Sequence, residues 1–332
     1  MLDAFLCSRQ QLDPAVWDDF VCRSPQDSLY ARWWYLCAAA EHWEAVVVTH
    51  RGSGEWLGVW PFALSQKYGI RYALQPAFCQ HWGPLLAPLA VEPHRRARLT
   101  ERIAECLLAA LPHGLRLASY NFSPHFDCFW PFLRAGFTVT PRLNLLLSLE
   151  GSAARWEAQF STSVKNHLKK SARNDVFCRL ATDPDELWLL CRLMGHVPSR
   201  AAADCGRRVW KAAYARGQAF FLEAVDAAGA VHSRGAFIYQ GGRAIFMASS
   251  LSPQHRYEGG NTMLLAHAMR HCQTLGLRCL DLKGSMLPGV AHYFWGFNPR
   301  QELYHNFTLD RLTTLQRAVY RALATRPIRY GT

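Results

Sequence analysis

Apolar and polar positions alternate along this chain in a pattern that predicts helices and strands following one another through two successive halves. In the first half the pattern predicts a strand at 2–7, helices near 14–22 and 28–40, strands at 43–50 and 56–65, an irregular segment at 66–92, and a helix at 93–111. In the second half it predicts helices at 152–174, 184–196 and 202–217, strands at 219–225, 234–239 and 244–251, helix 260–275, strand 278–283, a short helix near 290–296, strand 302–309 and helix 310–324. Antiparallel strands followed by a crossover helix and further strands indicate a mixed α+β fold.

Two stretches of the chain resemble each other. Each opens with Gly-Leu-Arg and a strand-like run, Gly114–Asn121 in the first and Gly276–Lys283 in the second, after a predicted helix. Each then reaches an aromatic turn that ends in Gly-Phe, at 136–137 and at 296–297, and a further strand follows. Self-similarity of this length predicts a duplicated domain.

The boundary between the copies falls near 150–152, where Gly151-Ser152 follows a strand. It predicts an N-terminal domain at 1–150 and a C-terminal domain at 151–332, a length that gives each domain its own core. The second copy alone carries Glu-Gly-Gly-Asn before its helix and Asp-Leu-Lys-Gly-Ser after its strand. We therefore expect the chemistry in the second domain.

The balance of charge is strongly basic. The chain has 332 residues and a formal net charge of +12, and only six of its basic residues are lysines. Arginine suits phosphate and carboxylate, so a polyanionic partner is one interpretation; arginine usage dictated by a GC-rich genome is the other.

Cysteine usage and the start of the chain bear on location. The eleven cysteines include no C-x-x-C pair, which favours reduced thiols. The opening residues have an early acid and too short an apolar run for a secretory leader, and no uncharged apolar stretch is long enough to cross a bilayer. We expect a soluble, cytoplasmic protein, with peripheral membrane contact left open.

A glycine turn leads into the helix of the second copy, with the sequence Glu258-Gly259-Gly260-Asn261-Thr262. The first N–H groups of a helix are unpaired, the helix dipole favours an anion there, and glycine lets a ligand approach closely. This start is therefore a candidate site for a phosphate or for an activated acyl carbonyl. A simple Gly-Asn helix start is the alternative.

The strand that follows ends in Asp281-Leu282-Lys283, and alternation places both charged residues on one face. Lys283 is a candidate for polarising a carbonyl and Asp281 for positioning or deprotonating an amine; a structural ion pair at a sheet edge is the alternative. After Pro288-Gly289, a short helix presents His292 or Tyr293 as a proton donor to a leaving group.

A basic helix opens the second half. Val164, Leu168 and Ala172 form its predicted buried stripe, and a stripe at i, i+4, i+8 is cationic: Lys165, Lys169 and Arg173. These three cations suit phosphates, although a solvated basic face is the alternative. His267 and His271 have metal-like i, i+4 spacing but lack a third ligand in sequence, so we expect no metal.

Taken together, these motifs resemble the FemABX-like branch of the GNAT acyltransferase superfamily. The resemblance rests on Lys-Asn-x-x-Lys-Lys-x-x-Arg-Asn at 165–174, on Glu-Gly-Gly-Asn at 258–261, and on Asp-Leu-Lys-Gly-Ser-Met-Leu-Pro-Gly-Val-Ala at 281–291 with Trp-Gly-Phe at 295–297. It covers roughly 155–310 and reaches the first half through the duplication. It implies two tandem GNAT-like domains, each a mixed, mostly antiparallel sheet flanked by helices, the first of them degenerate.

The resemblance implies an N-acyltransferase that moves an acyl or aminoacyl group to a small-molecule or peptide amine in the cleft between the domains. It implies no metal, no covalent enzyme intermediate and no tightly bound cofactor. The GNAT pyrophosphate loop is present only as Arg256-x-x-Gly259-x-Asn261, which leaves both acyl-CoA, as a co-substrate, and aminoacyl-tRNA open as donors. Carrier-protein contact also stays open, and DNA is not expected.

Site residues follow from these motifs together with the resemblance. The expected catalytic residues are Asp281, Lys283, Glu258 and Tyr293. The expected donor-binding residues are Arg256, Gly259, Gly260, Asn261, Thr262, Lys165, Lys169 and Arg173. A non-catalytic RNA-binding or scaffold protein on a degenerate transferase fold is the alternative function.

Overall fold

The computed structural model describes residues 1–193, 199–284 and 288–323. Its strands are β1 Leu2–Ser8, β2 Glu44–His50, β3 Trp56–Phe62, β4 Leu64–Lys67, β5 Ile70–Leu74, β6 Leu85–Leu86, β7 Leu115–Phe122, β8 Thr138–Ser148, β9 Phe177–Ala181, β10 Ala219–Val225, β11 Val231–Gln240, β12 Arg243–Leu251, β13 Cys279–Asp281 and β14 Arg300–Asp310. Its helices are α1 Pro14–Arg23, α2 Trp33–Ala39, α3 Pro93–Ala109, α4 Trp130–Arg134, α5 Ala153–Ala158, α6 Thr162–Arg173, α7 Asp185–Leu193, α8 Arg200–Tyr214, α9 Gly260–Thr274, α10 Pro288–Trp295 and α11 Thr314–Leu323.

The chain divides into two compact units. The N-terminal unit comprises Met1–Arg142 together with the segment from Leu303 onward, and the C-terminal unit comprises Leu143–Glu302. The predicted division into 1–150 and 151–332 is therefore corrected at both ends. The reason is that hydrogen bonding places the last strand of each repeat in a sheet with the other repeat.

In the N-terminal unit, β14 pairs antiparallel with β7, so that Leu309 lies opposite Ala118 and His305 opposite Phe122. The rings of Phe122 and Phe307 stack with centroids 3.8 Å apart, which anchors the added strand in the aromatic core. This contact buries apolar surface that neither segment covers alone. The strand that ends the second repeat thus completes the sheet of the N-terminal unit.

Two sheets build the N-terminal unit. One is antiparallel with the order β1-β2-β3-β6, and in the other β4, β5, β7 and β14 lie side by side, with β5 and β7 parallel. Helix α3 covers β3, where a Cβ on Gly58 would lie 2.6 Å from Cγ2 of Ile103. The aromatic core of the N-terminal unit includes three almost completely buried side chains: Trp60, Phe122 and Phe132.

In the C-terminal unit the strand order is β8-β13-β12-β11-β10-β9. Neighbours are antiparallel except for β12 and β13, which are parallel because α9 crosses between them. Helix α9 buries Leu264, Leu265 and Met269 against the apolar face of this sheet. The mixed, mostly antiparallel sheet flanked by helices agrees with the predicted fold class.

Several predicted elements differ from those observed. The segment 66–92, predicted as irregular, contains β5 and β6, and the predicted helix 152–174 is two helices, because Ser161 caps a new helix by accepting from the N–H of Val164. Strand β9 was not predicted, since its residues at the sheet edge are mostly exposed and show little alternation. The last helix begins at Thr314, and the ends of predicted helices 184–196 and 310–324 lie outside the described residues.

Within the described residues, no helix combines the length and apolar character that crossing a membrane requires.

Candidate functional site

Helix α9 begins at the predicted glycine turn. Gly259 is its N-cap, with φ of 80°, and Gly260, Asn261 and Thr262 form the first turn of a helix of 15 residues. In the described part of the chain, the N–H groups of those three first-turn residues have no protein acceptor. These groups and the helix dipole give the turn a partial positive charge that suits an anion or a carbonyl oxygen.

The two glycines have a packing role that the sequence did not indicate. A Cβ on Gly259 would lie 2.5 Å from the carbonyl oxygen of His167 in α6, and a Cβ on Gly260 would lie 2.5 Å from Cβ of His232 in β11. Both contacts are too close for any side chain. We predicted that the missing Cβ atoms let a ligand approach; instead they let α6 and β11 approach the start of α9.

Helix α10 brings Tyr293 to the start of α9. Nδ2 of Asn261 donates to the Tyr293 hydroxyl oxygen over 3.1 Å, and the side chain of Thr262 also hydrogen-bonds to that hydroxyl. Ser233 of β11 donates to Oδ1 of Asn261 over 3.0 Å, which fixes the amide. Burial raises the pKa of Tyr293 well above its usual value, and the two hydrogen bonds act in the opposite direction. Tyr293 is therefore a protonated hydroxyl at neutral pH.

Glu258 lies in a cluster with two histidines that the sequence did not reveal. Its Oε2 is 3.3 Å from Nδ1 of His232 and 3.1 Å from Nδ1 of His255, while Nε2 of His232 is 3.2 Å from Oδ2 of Asp226. The imidazole of His232 is 1% exposed and stacks on that of His255 with centroids 4.1 Å apart. These residues come together because β10 pairs with β11 and because the turn before α9 carries His255 and Glu258. In the sequence, the one sign of this cluster was His232, a single histidine within the residues of β11.

Asp281 lies in a buried ionic network. Oδ2 of Asp281 is 2.6 Å from Nη2 of Arg243, the same nitrogen is 3.0 Å from Oε2 of Glu302, and that oxygen also accepts from Asn144. Burial raises the pKa of Asp281, and the Arg243 guanidinium acts in the opposite direction. The carboxylate is 1% exposed, so its environment is that of a structural ion pair. Its partner is Arg243, which the sequence did not single out.

Lys283 follows β13 in a left-handed conformation, with φ of 62°. Its N–H donates to Oδ1 of Asp281, and its ammonium donates to the carbonyl of Met247 over 3.3 Å. Met247 is the extra residue of a bulge, because Phe246 and Ala248 pair with adjacent residues of β11. The predicted strand 278–283 stops at Asp281, so the shared face predicted for Asp281 and Lys283 is wrong.

The registered pairing of β12 with β13 ends at Ile245 and Asp281. Lys283 therefore lies just beyond the end of this pairing, and its side chain reaches from the end of β13 to Met247 in β12. Gly284 follows with φ of 66° and packs against the backbone of Leu143, which no residue with a Cβ could do. Ser285, the last residue of the predicted motif, lies outside the described residues.

The basic helix α6 is mostly exposed. Lys169 and Arg173 lie at its surface, whereas the ammonium of Lys165 donates to the carbonyl of Ala158 over 2.7 Å. The predicted buried stripe is corrected at one position, since Ser171 is buried in place of Ala172 and donates to the carbonyl of Glu258. The buried Ser171 hydroxyl thus links α6 to the turn before α9 through this hydrogen bond.

Arg256 lies exposed on that turn, and its guanidinium carbon is 5.0 Å from the centroid of the Tyr257 ring. The turn itself is held by backbone bonds from His255 to Ser252 and from Glu258 to His255. The structure therefore brings Glu258, Asn261, Thr262 and Tyr293 to one region, and Asp281 with Lys283 to a second hydrogen-bonded network.

Known structures with the same arrangement include FemX, which matches with a TM-score of 0.61 at 10% identity over 94% of this chain and 98% of that one. A tandem GNAT protein from the clavulanic acid biosynthesis pathway matches with a TM-score of 0.56 at 16% identity, over 95% and 100% of the two chains. The chain has the FemX-like, tandem GNAT fold. L-PGS from Bacillus licheniformis shares it, with a TM-score of 0.52 at 10% identity over 95% and 97% of the two chains. No protein-family profile and no curated protein sequence matches the chain.

Within the tandem GNAT fold, α3, β7, α4 and β8 correspond in order to α9, β13, α10 and β14. The position of Lys283 in the second copy is Asn121 in the first. The backbone of Asn121 is bonded to Trp82 and Gln75, and its side chain accepts from Asn306 over 2.9 Å. In the N-terminal unit, the position that corresponds to Lys283 is therefore bonded to other residues of the same unit.

Proposed function

We propose that the C-terminal unit is an N-acyltransferase that moves an acyl or aminoacyl group from an activated donor to an amine. The observation that carries this proposal is the hydroxyl of Tyr293 held 3.1 Å from Nδ2 of Asn261 in the first turn of α9. A proton donor beside unpaired helix amides is what acyl transfer requires at its leaving group and at its carbonyl or phosphate. The tandem GNAT fold supports the same reaction class.

The proposed reaction proceeds through a tetrahedral intermediate. The amine nitrogen attacks the acyl carbon, and the carbonyl electrons move to oxygen in a tetrahedral intermediate. That intermediate then collapses, breaking the bond to the leaving sulfur of a thioester or the leaving oxygen of an ester. Tyr293 gives its proton to this leaving atom, and Asn261 and Thr262 stabilise the resulting phenolate by donating to it. The phenolate then takes up the proton that the attacking nitrogen loses as the amide forms, which regenerates Tyr293.

The negative oxygen of the intermediate needs donors that are already in place. The amides of the first turn of α9 and the ammonium of Lys283 are the candidates predicted for this role. Lys283 adopts a left-handed conformation that only a few percent of non-glycine residues adopt, and such backbone outliers cluster at functional sites. Its ammonium donates to the carbonyl of Met247.

For the acceptor, we revise the expected roles of the two carboxylates. Asp281 is buried and ion-paired with Arg243, and Oε2 of Glu258 lies against two imidazoles. Neither is therefore assigned as the base. The amine attacks as its free base, so kcat/KM rises with pH towards the pKa of the acceptor amine. Tyr293, with its raised pKa, stays protonated throughout that range.

The donor is activated and anionic. Lys169 and Arg173 are exposed on α6, and Arg256 is exposed on the turn that leads to α9, which suits phosphate groups. Both a coenzyme A thioester and an aminoacyl-tRNA carry such phosphates. The tandem GNAT protein is described in its state without AcCoA, which supports a coenzyme A thioester as one of these donors.

The test is a single-turnover assay with two donor arms, short-chain acyl-CoA thioesters and charged tRNA, each with a panel of primary amines. We expect amide formation in one arm and, for Tyr293→Phe, a fall in that rate of roughly 100-fold, the usual range for a lost general acid. Tyr239→Phe is the matched control, because that hydroxyl donates to the backbone carbonyl of Gly217 elsewhere in the same unit.

Turnover of Tyr293→Phe equal to that of wild type would remove the proposed acid. Binding of tRNA that weakens with salt, with no transfer in either arm, would instead favour the alternative of a non-catalytic RNA-binding or scaffold protein.

A further inference from the structure

We propose that His232, His255 and Glu258 form a binding site for one divalent transition-metal cation, with zinc as the fitting ion. The three side chains offer two imidazole nitrogens and one carboxylate oxygen within 4.8 Å of one another. Two imidazoles and one carboxylate are a ligand set that zinc accepts while keeping a fourth position open. The proposal does not rest on the proposed acyl transfer, although Glu258 directly precedes the start of α9.

The spacing of the donor atoms fits a single ion. Oε2 of Glu258 is 3.3 Å from Nδ1 of His232 and 3.1 Å from Nδ1 of His255. Ligand bonds of about 2.0 Å in a tetrahedron place donor atoms roughly 3.3 Å apart. Both separations measured from the Glu258 oxygen therefore match the edge length of such a tetrahedron.

His232 supplies a second and independent observation. Its Nδ1 is buried and, although Oε2 of Glu258 lies 3.3 Å away, it makes no well-aligned hydrogen bond within the described residues, which is costly for a buried nitrogen. Its other ring nitrogen, Nε2, faces Oδ2 of Asp226 at 3.2 Å. A metal-binding imidazole usually gives its second N–H to a carboxylate, which fixes the tautomer and leaves the first nitrogen free to coordinate.

The backbone holds His232 in place before any ion binds. Gly260 packs against its Cβ, and its carbonyl accepts from the N–H of Ser252. The turn that starts at Ser252 then carries both remaining ligands, through the bonds from His255 to Ser252 and from Glu258 to His255. The buried ligand is thus fixed, and the side chain of His255 is 26% exposed at the edge of the site.

Charge also fits. Asp226 and Glu258 are carboxylates, so a dication with two neutral imidazoles makes the cluster electrically neutral.

The experiment uses the full chain without an affinity tag, stripped with a chelator and titrated with zinc by calorimetry and with cobalt by visible absorption. We expect one ion per chain, with a cobalt spectrum that lacks thiolate charge-transfer bands, which separates this site from the cysteines. His255→Ala and Glu258→Gln should abolish the stoichiometric binding, and Asp226→Asn should weaken it by about 10–100-fold, the usual effect of losing an outer carboxylate.

His267→Ala/His271→Ala is the matched control, because it removes two histidines from α9 outside the cluster, and it should bind as wild type does. A wild-type stoichiometry of zero overturns the proposal. So does binding that survives both ligand variants or is lost in the control. Circular dichroism of each variant establishes that it is folded. Since the readout is ion binding, failure here leaves the acyltransferase proposal intact, and failure of transfer leaves this site intact.

Discussion

The side-chain amide of Asn261 donates to the hydroxyl of Tyr293 over 3.1 Å, which joins the first turn of α9 to α10. The amide stabilises the phenolate that remains after proton transfer. Asn261→Asp replaces this donor by a carboxylate that accepts the Tyr293 proton and repels an anionic donor at the helix start. We expect acyl transfer to fall by at least about 100-fold, in line with one lost donor to a developing charge.

The measurement is single-turnover rate against donor concentration, with Asn298→Asp as a control, since Asn298 donates to Gln159 at the surface. Equal rates for Asn261→Asp and wild type would show that the amide does not support Tyr293.

Lys283→Ala tests the oxyanion role of the ammonium. We expect turnover to fall by about 100-fold or more with little change in donor binding, because an oxyanion donor acts mainly in the transition state. Lys211→Ala is the matched control, since that ammonium pairs with Asp185 at the surface over 3.4 Å. Near-normal turnover for Lys283→Ala would exclude this lysine from the mechanism.

Arg243→Gln removes the cation that compensates Asp281. We expect the free energy of unfolding to fall by roughly 3 kcal/mol, because a buried carboxylate without its partner is strongly unfavourable. Arg270→Gln is the control, since Arg270 pairs with Glu157 over the same 2.6 Å but at the surface, where such pairs contribute about 1 kcal/mol or less. Urea unfolding measures both; equal losses would contradict the structural role of Asp281.

Gly260→Ala places a methyl group against Cβ of His232. Overpacking of this kind costs about 1–3 kcal/mol, so we expect a lower thermal midpoint. Gly289→Ala in α10 has open space around its Cβ and should not lower it. Differential scanning fluorimetry compares the two, and an unchanged midpoint for Gly260→Ala would mean that the helix start is looser than the structure shows.

Stability should also depend on pH through the two histidines of α9. Burial lowers the pKa of His267 and of His271 in the folded protein. Their stabilising contribution is therefore complete above about pH 6.5, the unfolded value, and is lost as the pH falls below it, because the unfolded chain takes up protons first. Between pH 7 and pH 5, His267→Gln/His271→Gln should lose less thermal stability than wild type; an equal loss would assign the effect elsewhere.

Much of the fold could be predicted because it depends on local order. The Gly-Leu-Arg repeat predicted the duplication, and the order of helix, strand, short helix and strand is the same in both copies. The Glu-Gly-Gly-Asn turn predicted the start of α9, since glycine and asparagine favour such a start whatever surrounds them. The turn at Pro288-Gly289 likewise predicted the short helix that carries His292 and Tyr293.

The sequence of a strand does not by itself determine which sheet the strand joins. Apolar alternation predicted β8 and β14, but their pairing with β13 and β7 depends on backbone hydrogen bonds between segments far apart in the chain. The same holds for Arg243, which reaches Asp281 only because β12 and β13 are neighbours. No periodic pattern in a sequence identifies the ion-pair partner of a charged side chain.

The sequence by itself determined the repeated units, the helix start of α9 and the short helix that carries Tyr293, because turn chemistry and hydrophobic periodicity act over a few residues. Only the tertiary structure decided that the two glycines serve close packing, that Asp281 is neutralised by Arg243, and that His232 meets His255 and Glu258. Those outcomes depend on distances between elements that are remote in sequence, and on the free energy of burying charged and polar groups together.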